Sequence, residues 1–326
     1  MKSTPRLSIG MPVYNAERFV EHGLRSLLAQ TFDDFEILLS DNASTDRTME
    51  ICRDYAAVDR RVRLSQNAFN RGGGWNHNHV LELATGEFFK WASNDDVCAP
   101  EFLEKCIAAL DENPDAVLAH SGSQVIDDDG EFLESYTMEL ATDANDVVKR
   151  FFDLVMNYHQ CYEIYGVIRS SALQKTGPMG NYVNGDGVLL AHLALYGPFA
   201  KVPGILFSSR RHTGQSSRTL PVRVRSQRRW RLTRKVNGLP SAEWWDPGQR
   251  RRITLPQWRQ LAEYVRCVSH APLDASARLG CYGVLAQWSS RDYRRYFKDL
   301  LIAGDQLLDN ALAGFSETPT ERSMHT

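Results

Sequence analysis

The first 120 residues alternate between short apolar runs and longer segments in which apolar residues recur at helical spacing. The short runs favour β-strands and lie at residues 7–11, 35–39, 62–64, 87–91 and 116–119. The segments between them carry one apolar face each, as in the stripe formed by Phe19, Val20, Leu24, Leu27 and Leu28. Strands that alternate with helices in this way predict βαβ units, a mostly parallel sheet and therefore an α/β fold.

Composition is that of a globular protein and excludes several classes of function. The chain of 326 residues is 43% hydrophobic with a formal net charge of −2, which excludes a disordered chain and provides no overall attraction to nucleic acid. Its most apolar window, residues 188–200, is too short to cross a bilayer. The N-terminus lacks the apolar core of a signal peptide, and the six cysteines have no CxxC spacing. We therefore expect a cytoplasmic protein with reduced cysteines.

Asparagine and aspartate residues follow three of the predicted strands, in the segments 12–15, 40–46 and 93–96. In parallel sheets, ligands bind beyond the carboxyl ends of the strands. Each segment taken alone could cap a helix or form a turn, but a cap needs one such residue rather than two or three. The sequence therefore predicts a polar ligand site at this edge of the sheet.

The adjacent acids Asp95 and Asp96 indicate a divalent cation at that site. Two neighbouring carboxylates repel each other without a cation, and Mg²⁺ or Mn²⁺ takes one or two carboxylates together with substrate phosphates. The glycine run at 72–74 does not match a dinucleotide fingerprint, because it follows the third strand instead of the first. The sequence also contains no P-loop and no G-x-S-x-G elbow.

Together these motifs resemble those of bacterial family 2 glycosyltransferases, which have the Rossmann-like GT-A fold. The resemblance is carried by PVYN at 12–15, DNASTD at 41–46, NRGG at 70–73, ATGE at 84–87 and NDD at 94–96 followed by Pro100. It implies that a sugar passes, with inversion, from a nucleotide diphosphate donor to a hydroxyl of a glycan or lipid-linked acceptor. It also implies a GT-A domain over residues 1–217, with a donor half at about 1–120 and an acceptor half at 121–217.

The resemblance further implies donor-binding roles for Pro12, Tyr14, Asn15, Asp41, Asn42, Arg71, Gly72, Asn76 and Asn94. Asp41 resembles the aspartate that accepts a hydrogen bond from a uracil-type base, so a UDP- or dTDP-sugar is expected. Asn42 stands where many members have a second aspartate. The family's metal motif is often Asp-x-Asp, and here its first acid is replaced by Ser93. Asp95 is therefore the main expected metal ligand, with Asp96 as a second ligand or as support for the first.

Asp186 is the expected catalytic base. The family places an acid, often one of a pair, at the start of a helix such as the apolar segment 188–195, and here Gly185 replaces the first acid of the pair. The alternative for Asp186 is a helix N-cap. His212 lies just after a predicted strand at 200–207, and the resemblance implies that it completes the metal shell or contacts a phosphate. The alternative for His212 is a solvated basic turn.

After about residue 218 the chain changes character and predicts a helical C-terminal extension over 218–326. Basic residues crowd the segment 218–235 without an acid, and Trp230, Trp244, Trp245 and Trp258 lie in or after it. Residues 256–270 and 275–288 carry helical patterns. The basic segment could make peripheral contact with the inner membrane surface, grip a phosphorylated acceptor, or pack its tryptophans inward as a solvated helix.

Two other classes of protein stay open at this point. One is a non-catalytic nucleotide-sugar or glycan-binding protein on the same fold, which the missing first acid of the metal motif allows. The other is a nucleotidyltransferase, which would need a glycine-rich basic loop after the first strand, where residues 12–15 stand instead. Asp186 favours the enzyme, because a binding protein does not need an acid at that helix start.

Overall fold

The computed structural model describes residues 4–214, 245–246, 248 and 255–316. The first part of the chain forms β1 (Leu7–Val13), α1 (Val20–Leu28), β2 (Phe35–Asp41), α2 (Thr48–Val58), β3 (Val62–Gln66), α3 (Gly73–Glu82) and β4 (Phe88–Trp91). The second part forms β5 (Val97–Cys98), α4 (Phe102–Glu112), β6 (Leu118–Ile126), β7 (Phe132–Tyr136), α5 (Val147–Met156), a 3-10 turn (Tyr162–Tyr165), β8 (Val167–Arg169), α6 (Ser170–Thr176), α7 (Gly185–Ala194) and β9 (Phe199–Arg210). The C-terminal helices are α8 (Pro256–His270), α9 (Ala275–Arg291) and α10 (Tyr293–Ser316). The predicted α/β class is confirmed.

Within the described residues the strands form one nine-stranded sheet in the order β3-β2-β1-β4-β8-β6-β9-β5, with β7 paired to β6. Strand β1 is parallel to β2 and β4, β2 is parallel to β3, and β6 is parallel to β9. Strand β8 lies antiparallel between β4 and β6, so β1–β4, β6 and β9 all run in one direction. The sheet is therefore mostly parallel, as predicted.

The central strands are buried on both faces because helices cover both sides of the sheet. All seven residues of β1 and all seven of β2 are buried, which accounts for their nearly continuous apolar runs. The prediction that Pro12 ends β1 is wrong, because Pro12 pairs with Ser40 and the strand continues to Val13. Strand β4 pairs with β1 only as far as Gly10. Beyond that residue no carbonyl of β4 is placed to accept a hydrogen bond from position 12, so the N–H that proline lacks is not required.

The C-terminal helices pack against the part of the fold that carries Asp186. Tyr264 of α8 and Trp288 of α9 belong to the same buried cluster as Phe151 of α5 and Leu190 of α7. A second buried cluster surrounds β1, β2, α1 and α4 and includes Leu24. The predicted helical extension is thus confirmed for residues 256–316.

Several predictions lie outside the described residues, namely the basic segment 218–235, the boundary at 217/218, Trp230 and Trp244. The six cysteines all lie in the described part of the chain, where each is buried and forms no disulfide. No helix among the described residues is long and apolar enough to span a membrane.

Candidate donor and catalytic site

The loops after β1 and β2 are bonded to each other at the carboxyl edge of the sheet. Pairing of the strands sets Val13 level with Asp41, so both loops leave the sheet together. The side-chain oxygen of Asn15 accepts the N–H of Thr45 at 2.9 Å, and the N–H of Asn15 donates to Oγ of Ser44 at 2.9 Å. Tyr14, one residue earlier, is 46% exposed and available to a ligand.

Asp41 is fully buried at the floor of this edge. Its carboxylate accepts the N–H of Ser44 and the side-chain amide of Gln66, each at 3.2 Å. A carboxylate offers about four acceptor directions, so these bonds leave capacity for the N–H of a base. The predicted role of Asp41 stays a prediction that this geometry allows.

Asn42 holds the loop at residues 70–72 through its side-chain amide. Its Oδ1 accepts the N–H of Arg71 at 3.0 Å, and its Nδ2 donates to Oδ1 of Asn70 at 2.9 Å. An aspartate at this position could accept the first bond but could not donate the second. This explains why an amide replaces the acid that many family members carry. Through these two bonds Asn42 positions the loop at residues 70–72.

Helix α3 begins at that loop and is fixed to the strand ends. Gly72 has a φ of +93°, a backbone conformation that favours glycine. Asn76 is buried, and its amide donates to the carbonyl of Ser40 at 2.8 Å. Arg71 is exposed, with its guanidinium 3.8 Å from the ring centre of Trp75. Of the residues predicted on this loop, Arg71 faces solvent and Asn76 bonds to the protein.

The predicted metal ligands Asp95 and His212 are in direct contact although 117 positions separate them. Nε2 of His212 lies 3.0 Å from Oδ2 of Asp95, and Ser93 donates its hydroxyl to Oδ1 of the same carboxylate. Asn94 is partly buried beside them. The ring of His212 packs against Phe19, with ring centres 4.6 Å apart. His212 is thus buried against Asp95 and is not in a solvated turn, and its role towards a cation or a phosphate stays a prediction.

Asp96 points into the protein. Its Oδ1 accepts the backbone N–H of Arg210 at 2.8 Å. Burial raises the pKa of Asp96 well above its ordinary value, and the adjacent charge of Asp95 raises it further. These contacts favour the predicted supporting role for Asp96, which carries the end of β9 towards Asp95.

Two buried cations stand beside these acids: Arg210, which begins the Arg-x-His segment noted in the sequence, and Lys90, which the sequence reasoning missed. Arg210 donates from Nε to the carbonyl of Asp95 at 3.0 Å and from a terminal nitrogen to the carbonyl of Asp127 at 2.8 Å. Lys90 is 1% exposed and its Nζ donates to the carbonyls of Trp91 and Tyr165. A lysine inside the apolar strand β4 was a visible signal, because lysine is almost never buried without a reason.

Asp95 and His212 offer a carboxylate and an imidazole side by side. Their atoms Oδ2 and Nε2 are in hydrogen-bond contact at 3.0 Å, and both groups are ligand types that divalent cations accept. Among the described residues no group of three or more His, Cys, Asp or Glu side chains is arranged to hold a metal. Mg²⁺ and Mn²⁺ commonly use few protein ligands and complete their shell with substrate phosphates and water.

Asp186 lies in the first turn of α7 but is not its N-cap. The N-cap is Asn184, with a φ of +66°, and Oδ1 of Asp186 accepts the N–H of Gly187 at 2.9 Å. Burial raises the pKa of Asp186 above its ordinary value, while that hydrogen bond and the charges of His159 and His77 act in the opposite direction. Asp186 is therefore not the N-cap residue, although its carboxylate satisfies a backbone N–H of the first turn and is oriented by it.

Gly185 could not carry the first acid of the family's pair. A Cβ at this position would lie 2.2 Å from the carbonyl oxygen of Gly180, closer than any real contact. The loop 180–184 folds back tightly on the start of α7, with the N–H of Gly185 donating to the carbonyl of Tyr182 at 3.1 Å. The single acid at 186 follows from this packing.

Tyr165 is influenced electrostatically by acids of both segments. Burial raises the pKa of Tyr165 well above its ordinary value, and the charges of Asp96, Asp95 and Asp186 each raise it further.

The fold and this site define a GT-A type of protein, and a family comparison agrees. The model of Glycosyl transferase family 2 matches residues 8–175, just over half of the chain. The chain belongs to this family.

Curated relatives match over part of their length. EpsE of Bacillus subtilis is 36% identical over 131 residues, which cover 40% of this chain and 47% of EpsE. The GalNAc(5)-diNAcBac-PP-undecaprenol beta-1,3-glucosyltransferase of Campylobacter jejuni is 27% identical over 173 residues, covering 52% of this chain and 53% of that protein. The chain thus spans about half the length of these relatives.

Solved structures share the fold at low identity. TarS 1-349 of S. aureus in complex with UDP-GlcNAc has a TM-score of 0.63 and 17% identity, covering 89% of this chain and 73% of that one. The mannosyltransferase PcManGT of Pyrobaculum calidifontis, in complex with GDP-Man and Mn²⁺, has a TM-score of 0.51 and 15% identity, covering 99% and 79%.

Proposed function

We propose that this protein is an inverting glycosyltransferase that uses a UDP- or dTDP-sugar, a divalent cation and Asp186 as the base. The observation that carries the proposal is the contact between Asp95 and His212 beyond the end of β4, which pairs with β1 and so lies beside the bonded loops after β1 and β2. Membership of the family supports transfer of a sugar, and the UDP-GlcNAc complex of TarS supports the kind of donor.

The donor base and ribose would be held by the bonded loops after β1 and β2. Asp41 supplies a buried acceptor for an imide N–H, which uracil and thymine carry and which selects against adenine and cytosine. Tyr14 is exposed beside it and offers a ring to the base or ribose. The partly buried Asn94 and the exposed Arg71 stand on the loops that lead towards the diphosphate.

A divalent cation, Mg²⁺ or Mn²⁺, would be held by Asp95 and His212, with Asp96 in support. When bound, such a cation offsets the charge of the departing diphosphate, so that no acid is required on that side. Ser93 and Arg210 keep the Asp95 segment in place through their bonds to its carboxylate and its carbonyl. The Mn²⁺ complex of PcManGT supports the presence of a divalent cation.

Asp186 takes the proton of the acceptor hydroxyl. The hydroxyl oxygen forms a bond to the anomeric carbon as the bond from that carbon to the diphosphate oxygen breaks, and the proton passes to the carboxylate. The raised pKa of Asp186 makes it a stronger base than an ordinary aspartate. The N–H of Gly187 orients the carboxylate before the acceptor arrives.

The acceptor is a hydroxyl of a glycan or of a lipid-linked saccharide, with no role for nucleic acid. The undecaprenol-linked substrate in the name of the Campylobacter relative supports the lipid-linked class. Peripheral contact with the cytoplasmic face of a membrane would bring the chain to such an acceptor.

A panel of nucleotide sugars tests the proposal. UDP-, dTDP-, GDP- and ADP-sugars are compared for thermal stabilisation and for hydrolysis, each with Mg²⁺, with Mn²⁺ and with chelator. We expect UDP- or dTDP-sugars to stabilise the protein most and to be hydrolysed only with the cation. Stabilisation without turnover of any donor, with or without glycan acceptors, would identify the non-catalytic binding protein instead.

A further inference from the structure

Helix α3 is built from residues that favour a helix poorly. Its ten residues include two glycines, two asparagines and two histidines. Glycine and asparagine are both poorer helix formers than alanine, so contacts with other segments must account for their presence. Asn76 bonds to the carbonyl of Ser40, as described above, whereas Gly74 and Asn78 contact a different segment.

Gly74 and Asn78 lie one helical turn apart and meet the loop between α6 and α7, residues 177–184. Nδ2 of Asn78 donates to the carbonyl of Met179 at 2.8 Å and to Oδ1 of Asn181 at 3.2 Å. A backbone carbonyl can only accept, so the amide nitrogen of Asn78 must face the loop. A Cβ on Gly74 would lie 2.5 Å from Oδ1 of Asn181, so glycine leaves the space that this side chain occupies.

The bonds of Asn78 do more for the loop than for the helix. Oδ1 of Asn78 is buried and accepts no hydrogen bond from the described residues. A buried acceptor that is left unpaired destabilises a folded protein. The helix therefore gains little stability from this side chain, and its effect is to hold the loop.

The same loop packs on both sides of Asp186. The carbonyl oxygen of Gly180 lies 2.2 Å from the place that a Cβ of Gly185 would take. On the other side, Oδ1 of Asn184 lies 2.6 Å from the place of a Cβ on Gly187, whose N–H bonds the Asp186 carboxylate. The residues before and after Asp186 are thus glycines that the loop covers closely, and the position of the loop sets the position of the carboxylate.

We propose that Asn78 is a positioning residue for Asp186, which it places by holding the 177–184 loop. The path is short, because Asn78 bonds the carbonyl of Met179 and the next residue of the loop contacts Gly185. Asn78 acts through the loop and not by contact with a substrate. This inference rests on the proposed function, in which Asp186 is the base.

Donor hydrolysis with Mn²⁺ tests the proposal, because water then replaces the acceptor hydroxyl and needs the same base. The UDP- or dTDP-sugar preferred in the donor panel is given to the wild type, to Asn78→Ala, to Asp186→Asn and to the double variant. Alanine removes both bonds to the loop and favours a helix, so α3 should still fold. The matched control is Asn113→Ala at the exposed end of α4, where the amide of Asn113 also donates to a backbone carbonyl at 2.8 Å.

We expect Asn78→Ala to lower the rate with saturating donor by roughly 10- to 100-fold, since a misplaced catalytic group costs up to about 100-fold. The Kd for UDP and the midpoint of thermal unfolding should stay near those of the wild type. In the Asp186→Asn background the same change should alter the residual rate by less than about twofold, because the group that Asn78 positions is already gone. Asn113→Ala should change the rate in neither background.

Gly74→Ala tests the same contact without removing a hydrogen-bond donor. Its Cβ would meet Oδ1 of Asn181, so hydrolysis should slow, and adding Asn181→Ala should return the rate to that of Asn181→Ala alone. The backbone oxygen of Trp245, at 3.1 Å from that Cβ, needs to shift by only a few tenths of an ångström. Purely additive losses in this pair would contradict the proposal.

A wild-type rate in Asn78→Ala, together with a lost rate in Asp186→Asn, would overturn this inference and leave the proposed base in place. An equal loss from Asn78→Ala in both backgrounds, or a parallel loss of stability and UDP affinity, would also overturn it, because Asn78 would then serve the fold in general. Near wild-type hydrolysis by Asp186→Asn would refute the proposed base itself, and this inference with it.

Discussion

Replacing Asp186 with asparagine removes the proposed base and leaves its surroundings almost unchanged. Asparagine has the same size, and its side-chain oxygen can still accept the N–H of Gly187. Asn184 occupies the N-cap of α7 without a side-chain cap bond, so the retained bond to Gly187 keeps the first turn of the helix as it is. We therefore expect the variant to fold, and any loss of transfer to report on proton removal.

Loss of a general base costs about 10²–10⁴-fold in rate, which corresponds to about 3–5 kcal/mol of activation free energy. Asp186 lies outside the loops after β1 and β2, where the nucleotide is proposed to bind. The Kd of the nucleotide should therefore stay within about twofold of wild type. The rate of transfer with saturating donor and acceptor measures the first effect, and titration calorimetry with UDP measures the second. The variant should also lose the acid limb of the pH profile that ionisation of Asp186 produces.

Stability should change in the opposite direction to activity. Because burial raises the folded-state pKa of Asp186, the folded protein binds this proton more tightly than the unfolded chain. The stabilising contribution is present below the unfolded pKa and is lost as pH rises through the folded pKa. Asparagine is neutral at every pH, so at pH 7 Asp186→Asn should be more stable by about 1.4 kcal/mol for each unit by which the pKa is raised.

The matched control is Asp54→Asn on the exposed face of α2, which should change neither rate nor stability. Urea unfolding of both variants at pH 4 and pH 7 measures the predicted divergence. Transfer at near wild-type rate in Asp186→Asn would place the base elsewhere. A variant that is less stable than wild type at pH 7 would show that the carboxylate serves the fold, and the argument from its buried charge would be refuted.

Three further predictions concern the divalent cation, recognition of the nucleotide base by Asp41, and the start of α7. Asp95→Asn should lower divalent-dependent turnover at least 100-fold and weaken Mn²⁺ binding seen by calorimetry, and unchanged metal dependence would contradict it. Asp41→Ala should weaken UDP binding by about 1–3 kcal/mol, and an unchanged affinity for UDP in this variant would oppose the role. Gly185→Ala should cost about 1–3 kcal/mol in the free energy of unfolding, because its Cβ would meet a carbonyl oxygen at 2.2 Å. The control Gly283→Ala, in the open interior of α9, should instead stabilise by about 0.5–1 kcal/mol, and equal effects of the two changes would count against the packing argument.

The sequence predicts the first half of the fold well because each element there buries either both faces or a single face, and each case gives a recognisable apolar pattern. Strands β1 and β2 are covered on both faces and so appear as apolar runs, while α1 and α4 bury one face and show helical spacing. Strand β7 could not be predicted in this way, since four of its five residues are exposed and carry no alternating pattern. Strand β8 has three residues and is defined by its antiparallel partners alone.

Helix α5 was not predicted, although the sequence carries the signals of a helix there. Asp146 caps it by accepting the N–H of Val148, and Phe151 and Leu154 repeat at helical spacing on its buried face. At position 185 the sequence shows the feature but not its cause. The glycine there is a visible departure from the family pattern, whereas the close backbone contact with Gly180 that explains it leaves no sequence pattern.

The contact of His212 with Asp95 shows how the site is completed by pairing that sequence motifs do not contain. Strand β5 has only two residues, and it pairs with β9 so that Val97 lies opposite Ser208. This short pairing directly follows the acids and ends four residues before His212, so it brings the imidazole close to the carboxylate. The bond from the N–H of Arg210 to Asp96 extends the same pairing by one step. In the proposed site His212 would offset the missing first acid of the metal motif, and Asp96 contributes by joining the two segments.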